Sequence, residues 1–205
     1  MTTSTPPTST ERRSSQWRVV DIVIASVIGV AAGVIFWAWG LLWNVASVPL
    51  AFLPGLSGLL AGGWLFAGVL GGIIVRKPGA AFFTEVLAAV VSMLIGTQWG
   101  WTTLVSGVVQ GIGAEIVLAA FLYANWRAYV AVLAGAGAAV GALVYEFFSY
   151  YAVTDLLFKS VYAASTILSG ALLAGLGSWA IARGLAATGA LGRFAAGREV
   201  THTVL

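Results

Sequence analysis

Apolar residues run through this chain in long unbroken stretches rather than alternating with polar ones. A helix that crosses a bilayer needs about 20 mostly apolar residues. Six stretches meet or approach that length: 19–39, 55–75, 80–96, 102–123, 128–150 and 160–183. The third is the shortest. Membrane-spanning strands would alternate over about ten residues, and helices are the other way to satisfy backbone polar groups in lipid. The pattern predicts an all-α integral membrane protein with six transmembrane helices in residues 17–183. Residues 1–16 are rich in Thr, Ser and Pro and lack the apolar run of a signal peptide. They read as a disordered cytoplasmic tail. Residues 184–205 read as a second cytoplasmic tail, partly helical or lying on the membrane surface.

Composition strengthens this picture. Hydrophobic residues make up 60% of the 205-residue chain and charged residues only 8%, against about 25% charged in soluble domains. The expected location is the plasma membrane, crossed several times. Six helices put Arg12, Arg13, Arg18, Arg76, Lys77, Arg127, Arg183, Arg193 and Arg198 on one side and leave Lys159 alone on the other. Basic residues mark the cytoplasmic side, so both termini are expected there. The same clustering accounts for the basic balance of the chain without nucleic acid.

The outer connections are expected to differ in kind. Residues 40–54 read as a long apolar, aromatic segment and residues 98–101 as a tight turn. Trp37, Trp39, Trp43, Trp99 and Trp101 fall near the outer face. An interfacial aromatic belt would populate both faces, so the asymmetry favours an aromatic-lined outer pocket.

Small residues recur at four-residue spacing. Ala25, Gly29 and Gly33 form such a row in the first stretch, and Gly107, Gly111 and Glu115 in the fourth. These rows let two backbones approach closely. They pack the bundle by default, or form a docking face for another subunit. Glu85 shares a face with Ala81, Ala88, Ala89 and Ser92, and Glu146 with Gly135, Ala139 and Ala142. A charge at membrane depth is costly and marks a candidate site. Counting about 1.5 Å of rise per residue, Glu146 lies about one turn below its outer helix end and Gln110 about 12 Å below its own. Glu115 is deeper, and Glu85 lies near the cytoplasmic loop, within reach of Arg76 or Lys77. Glu146, Gln98, Trp99, Gln110, Tyr150 and Tyr151 are expected to share an outer cavity suited to a flat or cationic ligand, because ring faces attract cations. Glu85, Glu115 and Trp37 complete the candidate set. Each acid also has a bland reading, as an interface-solvated group or a helix–helix hydrogen bond.

Other chemistry is poorly provided for. The chain has no Cys and one His, His202. That leaves no thiolate site, no metal centre built on imidazole and no His-dependent triad. No G-x-x-x-x-G-K-[ST] phosphate loop is present. The expectation is a non-enzyme without cofactor whose energy, if it transports, comes from a partner or an ion gradient.

Five short motifs then point to a family. They are Trp17-Arg18-x-Val-Asp21, the Gly-Val-Ala-Ala-Gly-Val-Ile-Phe-Trp run ending at Trp37, Phe83-Thr84-Glu85, Gly96-x-Gln98-Trp99-Gly100 and Gln110-Gly-x-Gly-Ala-Glu115. In this order, across residues 17–183, the chain resembles the YkoE-type substrate-binding (S) component of energy-coupling factor (ECF) vitamin transporters. The resemblance implies capture of thiamine or its hydroxymethylpyrimidine precursor from outside. It also implies partnership with a transmembrane T component and two ATPase subunits. The resemblance puts the family's Ala-x-x-x-Ala docking motif on Ala25 and Gly29, with Gly in place of the second Ala, and Gly33 is a candidate to extend it. Two other readings fit the residues alone: a proton-coupled secondary transporter using Glu85 or Glu115, and a membrane assembly subunit with no small ligand.

Overall fold

The computed structural model describes residues 16–189 and Leu191; the bulk of both expected tails lies outside the described residues. Helix α1 spans Val19–Ala46, α2 Phe66–Val75, α3 Ala80–Ile95, α4 Thr102–Ala120, α5 Ala128–Ser149, α6 Leu156–Ser169 and α7 Gly177–Ala187. The described residues contain no strand. Five segments are long and apolar enough to cross a membrane: Val19–Ala46, Leu56–Val75, Thr102–Ala120, Ala128–Ser149 and Leu156–Ala187. Helix α3 is shorter; its 16 residues rise only about 24 Å.

Three boundaries differ from the sequence-based expectation. Helix α1 continues through Trp43 and Asn44 to Ala46, so residues 40–46 are helix and not loop. The apolar, Pro-free sequence up to Val48 offers nothing to stop it, and Pro49 then opens a short 3₁₀ turn, Val48–Phe52. The second stretch is not one α-helix: Leu56–Trp64 winds as a 3₁₀ helix before α2 begins. The last stretch starts at Leu156, where the Asp155 carboxylate accepts from the Phe158 amide as an N-cap. It passes through a π-helical segment, Gly170–Leu176, and ends at Ala187, four residues into the expected tail.

The bundle is held by small residues. Helices α4 and α5 cross where a Cβ added to Gly137 would stand 2.6 Å from the Gly113 carbonyl oxygen, so backbone meets backbone. The Ala25, Gly29 and Gly33 row of α1 is buried. A Cβ on Gly29 would come within 3.0 Å of Leu87, and one on Gly33 within 2.5 Å of Val91 Cβ and 2.7 Å of the Ala88 carbonyl. Helix α3 therefore already occupies this row. Of the two expected roles of the Ala25, Gly29 and Gly33 row, packing within the bundle is the one seen here, while Val23, Val27, Val30 and Val34 are among the exposed positions of α1.

The N-terminal motif is structural too. The Asp21 carboxylate accepts from the Arg18 backbone amide at 2.9 Å and pairs with its guanidinium, closing the first turn of α1. Trp17 donates its indole N–H to the Pro78 carbonyl at 2.9 Å, which places the start of α1 beside the α2–α3 connection. Arg18, Arg76, Lys77, Arg127 and Arg183 share that end of the bundle; Lys159 lies at the other.

Candidate functional site

A cavity of about 330 Å³ opens at the end of the bundle away from that basic cluster. Two aromatic walls bound it. On one side Trp64 from the 3₁₀ segment, Trp99 from the α3–α4 turn and Trp43 from α1 meet edge to face. The Trp64 and Trp99 centroids are 5.2 Å apart and those of Trp43 and Trp99 6.0 Å. Trp64 is fixed by donating its N–H to the Phe36 carbonyl at 3.0 Å. On the other side stand Tyr150 and Tyr151 at the end of α5 and Tyr162 of α6, with Tyr151 and Tyr162 centroids 4.9 Å apart.

Polar groups enter this apolar space at few points. The Glu146 carboxylate, half-buried at the end of α5, accepts the Tyr162 hydroxyl at 2.8 Å, which leaves its second oxygen for a ligand. Gln110 lines the floor with 7% of its surface exposed. No hydrogen bond reaches its side-chain amide from the described residues. The buried Thr103 hydroxyl, also lining the cavity, has no partner. Burial first, and then the charge of Glu146, push the Tyr151 phenol above its ordinary pKa, so it stays a neutral donor. A cavity of aromatic rings with a few aimed polar groups is the common form of a small-molecule site.

Of the candidate residues read from the sequence, Trp99, Gln110, Glu146 and Tyr150 line this cavity, whereas Gln98, Trp37, Glu85 and Glu115 do not. Gln98 accepts from the Asn44 side-chain amide at 3.0 Å at the cavity's mouth. Trp37 sits one position past Phe36, which supplies the lining ring in its place. Glu85 is enclosed one turn beneath the floor, where its Oε2 accepts from the Gly68 amide at 2.6 Å and its Oε1 has no partner. Its hydrogen bond thus goes to backbone rather than to Arg76 or Lys77. Glu115 takes the Gly79 amide at 2.6 Å, the Ala81 amide at 3.0 Å and the Phe82 amide at 3.2 Å, all at the start of α3. It also accepts the Tyr123 hydroxyl at 2.8 Å. Burial and then this contact with Glu115 push the Tyr123 phenol up to about 12.

Both deep acids therefore cap helix starts that cannot cap themselves. Leu65 before α2 and Gly79 before α3 have no side-chain oxygen, and the first amides of a helix have no partner within it. Sequence reasoning missed Trp64 and Tyr162 as lining residues. The signal was present as a Trp and a Tyr inside apolar stretches, but only the break at Leu65 turns Trp64 inward.

An apolar helical bundle with an aromatic-lined cavity at one end suits a membrane transport component. Residues 20–141 match the family described as the permease component of an ABC-type cobalt transport system. The fold is similar to that in the crystal structure of an S component of an ECF transporter, with a TM-score of 0.86 at 35% identity over 92% of this chain and 95% of that one. The sequence is 38% identical over 191 residues to YkoE of Bacillus subtilis (strain 168), covering 90% of this chain and 92% of that protein, whose name provisionally makes it an HMP/thiamine permease. The chain belongs to this permease family, as a YkoE-type S component of the ECF transporters.

Proposed function

We propose that this chain captures thiamine or its hydroxymethylpyrimidine precursor in the aromatic cavity, as the substrate-binding subunit of an ECF transporter. Uptake is then driven by a transmembrane T component and two ATPase subunits, and the chain itself is not an enzyme. In this reading all six segments cross the plasma membrane, α3 included, with both termini cytoplasmic and the cavity opening outward. The asymmetry of basic residues between the two ends supports that orientation.

The observation that carries the ligand class is the pairing of Glu146 and Gln110 across one aromatic cavity. A cationic ring would sit on the Glu146 and tyrosine side, where charge and ring faces both favour it. An aminopyrimidine would lie against the tryptophans, with the Gln110 amide supplying one donor and one acceptor. The name of the matched family suggests cobalt instead. A cobalt ion needs several N, O or S ligands. The chain has no Cys and a single His, and no group of three or more His, Cys, Asp or Glu is found among the described residues. An organic ligand suits the cavity better.

The test is a tryptophan-fluorescence titration of the purified chain. Thiamine or hydroxymethylpyrimidine should quench saturably, because Trp43, Trp64 and Trp99 face the cavity. No saturable response to either compound would overturn the assignment.

A further inference from the structure

A second cavity, of about 640 Å³, opens at the basic end of the bundle, between the α4–α5 connection and the first two turns of α7. Its lining carries two guanidinium groups, Arg127 and Arg183, from different elements, and no carboxylate. Neither forms an ion pair with a described residue; the ion pair found there is that of Arg18 with Asp21. Two like charges facing one cavity repel each other, and an anion between them reverses the sign of that interaction.

The groups are held in place. Arg183 lies over the Trp179 ring, 5.0 Å from its centroid, which fixes the guanidinium plane and leaves its N–H edge open. The Arg127 backbone amide donates to the Asn125 side-chain oxygen at 3.2 Å, and the Asn125 amide group donates to the Tyr129 hydroxyl. The connection is thereby pinned to the first turn of α5. Guanidinium groups bind phosphate oxygens through paired N–H donors.

The surroundings select the kind of phosphate. Leu176, which ends the π-helical segment, and Trp179 and Arg183 of α7 follow one another at three- and four-residue spacing and so share a face. Leu176 is 41% exposed, and Leu172 and Leu173 before it in the π-helical segment and Leu133 of α5 are exposed as well. Helix α5 and the π-helical segment meet there, where a Cβ added to Gly175 would stand 2.6 Å from Val132 Cα. An apolar strip thus leads along the bundle up to the two arginines, as acyl chains lead to a headgroup. We propose that this cleft seats the phosphate of an anionic phospholipid, with Arg127 and Arg183 as its ligands.

The experiment is native mass spectrometry of the full chain in detergent, incubated with phosphatidylglycerol or phosphatidylcholine of matched acyl chains. Selective retention of one phosphatidylglycerol is expected. Arg127→Gln with Arg183→Gln should weaken that retention about tenfold, as loss of charge-assisted hydrogen bonds implies, and Arg127→Lys with Arg183→Lys should restore part of it. Thiamine quenching should be unchanged in both variants, which also shows that they fold. Equal retention of the two lipids, or undiminished phosphatidylglycerol binding in the Gln variant, would overturn the proposal. So would displacement of phosphatidylglycerol by equimolar inorganic phosphate, since the cleft would then be a site for a free anion.

Discussion

The Glu85 carboxylate meets the Gly68 amide at 2.6 Å, and this one contact joins α3 to the point where the second membrane segment changes from 3₁₀ to α winding. The amide is the third of α2, the position that an N-cap side chain normally serves. Glu85→Ala should cost about 2–4 kcal/mol, from the orphaned amide and the space left behind. Glu85→Gln, which keeps an acceptor, should cost less. Thermal unfolding in detergent measures both. Because Glu85 does not line the cavity, ligand affinity should fall less than stability does.

Glu115 serves α3 more heavily, with three amides and the Tyr123 hydroxyl converging on it. Glu115→Ala strands all four donors, three of them part-buried and the Phe82 amide exposed, where a buried donor that loses its partner costs about 1–3 kcal/mol. Folded protein should be recovered in much lower yield on size exclusion, and what is recovered should unfold at lower temperature than the Glu85→Ala variant. A variant as stable as the wild type would mean that water or another group takes over the cap.

Glu146→Gln should separate the two halves of the proposed ligand. Thiamine binding should weaken about tenfold, the equivalent of roughly 1.4 kcal/mol of charge-assisted interaction. The neutral hydroxymethylpyrimidine should lose little. Gln110→Leu should weaken both. Equal losses for thiamine and its neutral precursor in Glu146→Gln would place the cationic ring elsewhere in the cavity.

Gly33→Val tests the α1–α3 contact. The added side chain meets Val91 and the Ala88 carbonyl, and overpacking of this kind costs about 3 kcal/mol. Val34→Leu, one residue along on the exposed face, should stay within about 0.5 kcal/mol of wild type. Loss of uptake in Gly33→Val with unfolding and affinity both unchanged would return the row to a partner.

The Ser169→Ala substitution probes the 3₁₀ segment. Ser169 Oγ donates to the Leu59 carbonyl at 2.6 Å and accepts from the Gly62 amide at 2.9 Å. Its removal should cost about 1–3 kcal/mol and also weaken thiamine binding, since Ala61 and Trp64 of the same segment line the cavity. Isothermal titration of wild type and variant reads the second effect.

Helix positions were largely legible in the sequence because membrane helices announce themselves by apolar length, and the ends of α3 and α5 fall within a residue of the expected places. Breaks within helices were not legible. Leu56–Trp64 and Phe66–Val75 read as one apolar run, and what divides them is hydrogen bonding from Ser165, Ser169 and Glu85 on other helices. The same cause hid the roles of the deep acids. A carboxylate on a small-residue face reads alike whether it awaits a ligand or a neighbouring helix start. Glu146 and Gln110 differed only in depth, and depth did place them. The Ala25–Gly29–Gly33 row has the spacing of a docking motif, and only the structure shows that Leu87 and Val91 of α3 fit over it.

A 3₁₀ helix climbs about 2.0 Å per residue against about 1.5 Å for an α-helix. The nine residues of Leu56–Trp64 therefore reach about 4–5 Å farther than the same residues would in α form. The second segment is in effect a stretched rod, thin where the ligand space lies and thick where the bundle is solid. A rod of uniform α winding with the same residues would be both shorter and wider, so length and hollow come from one choice of winding.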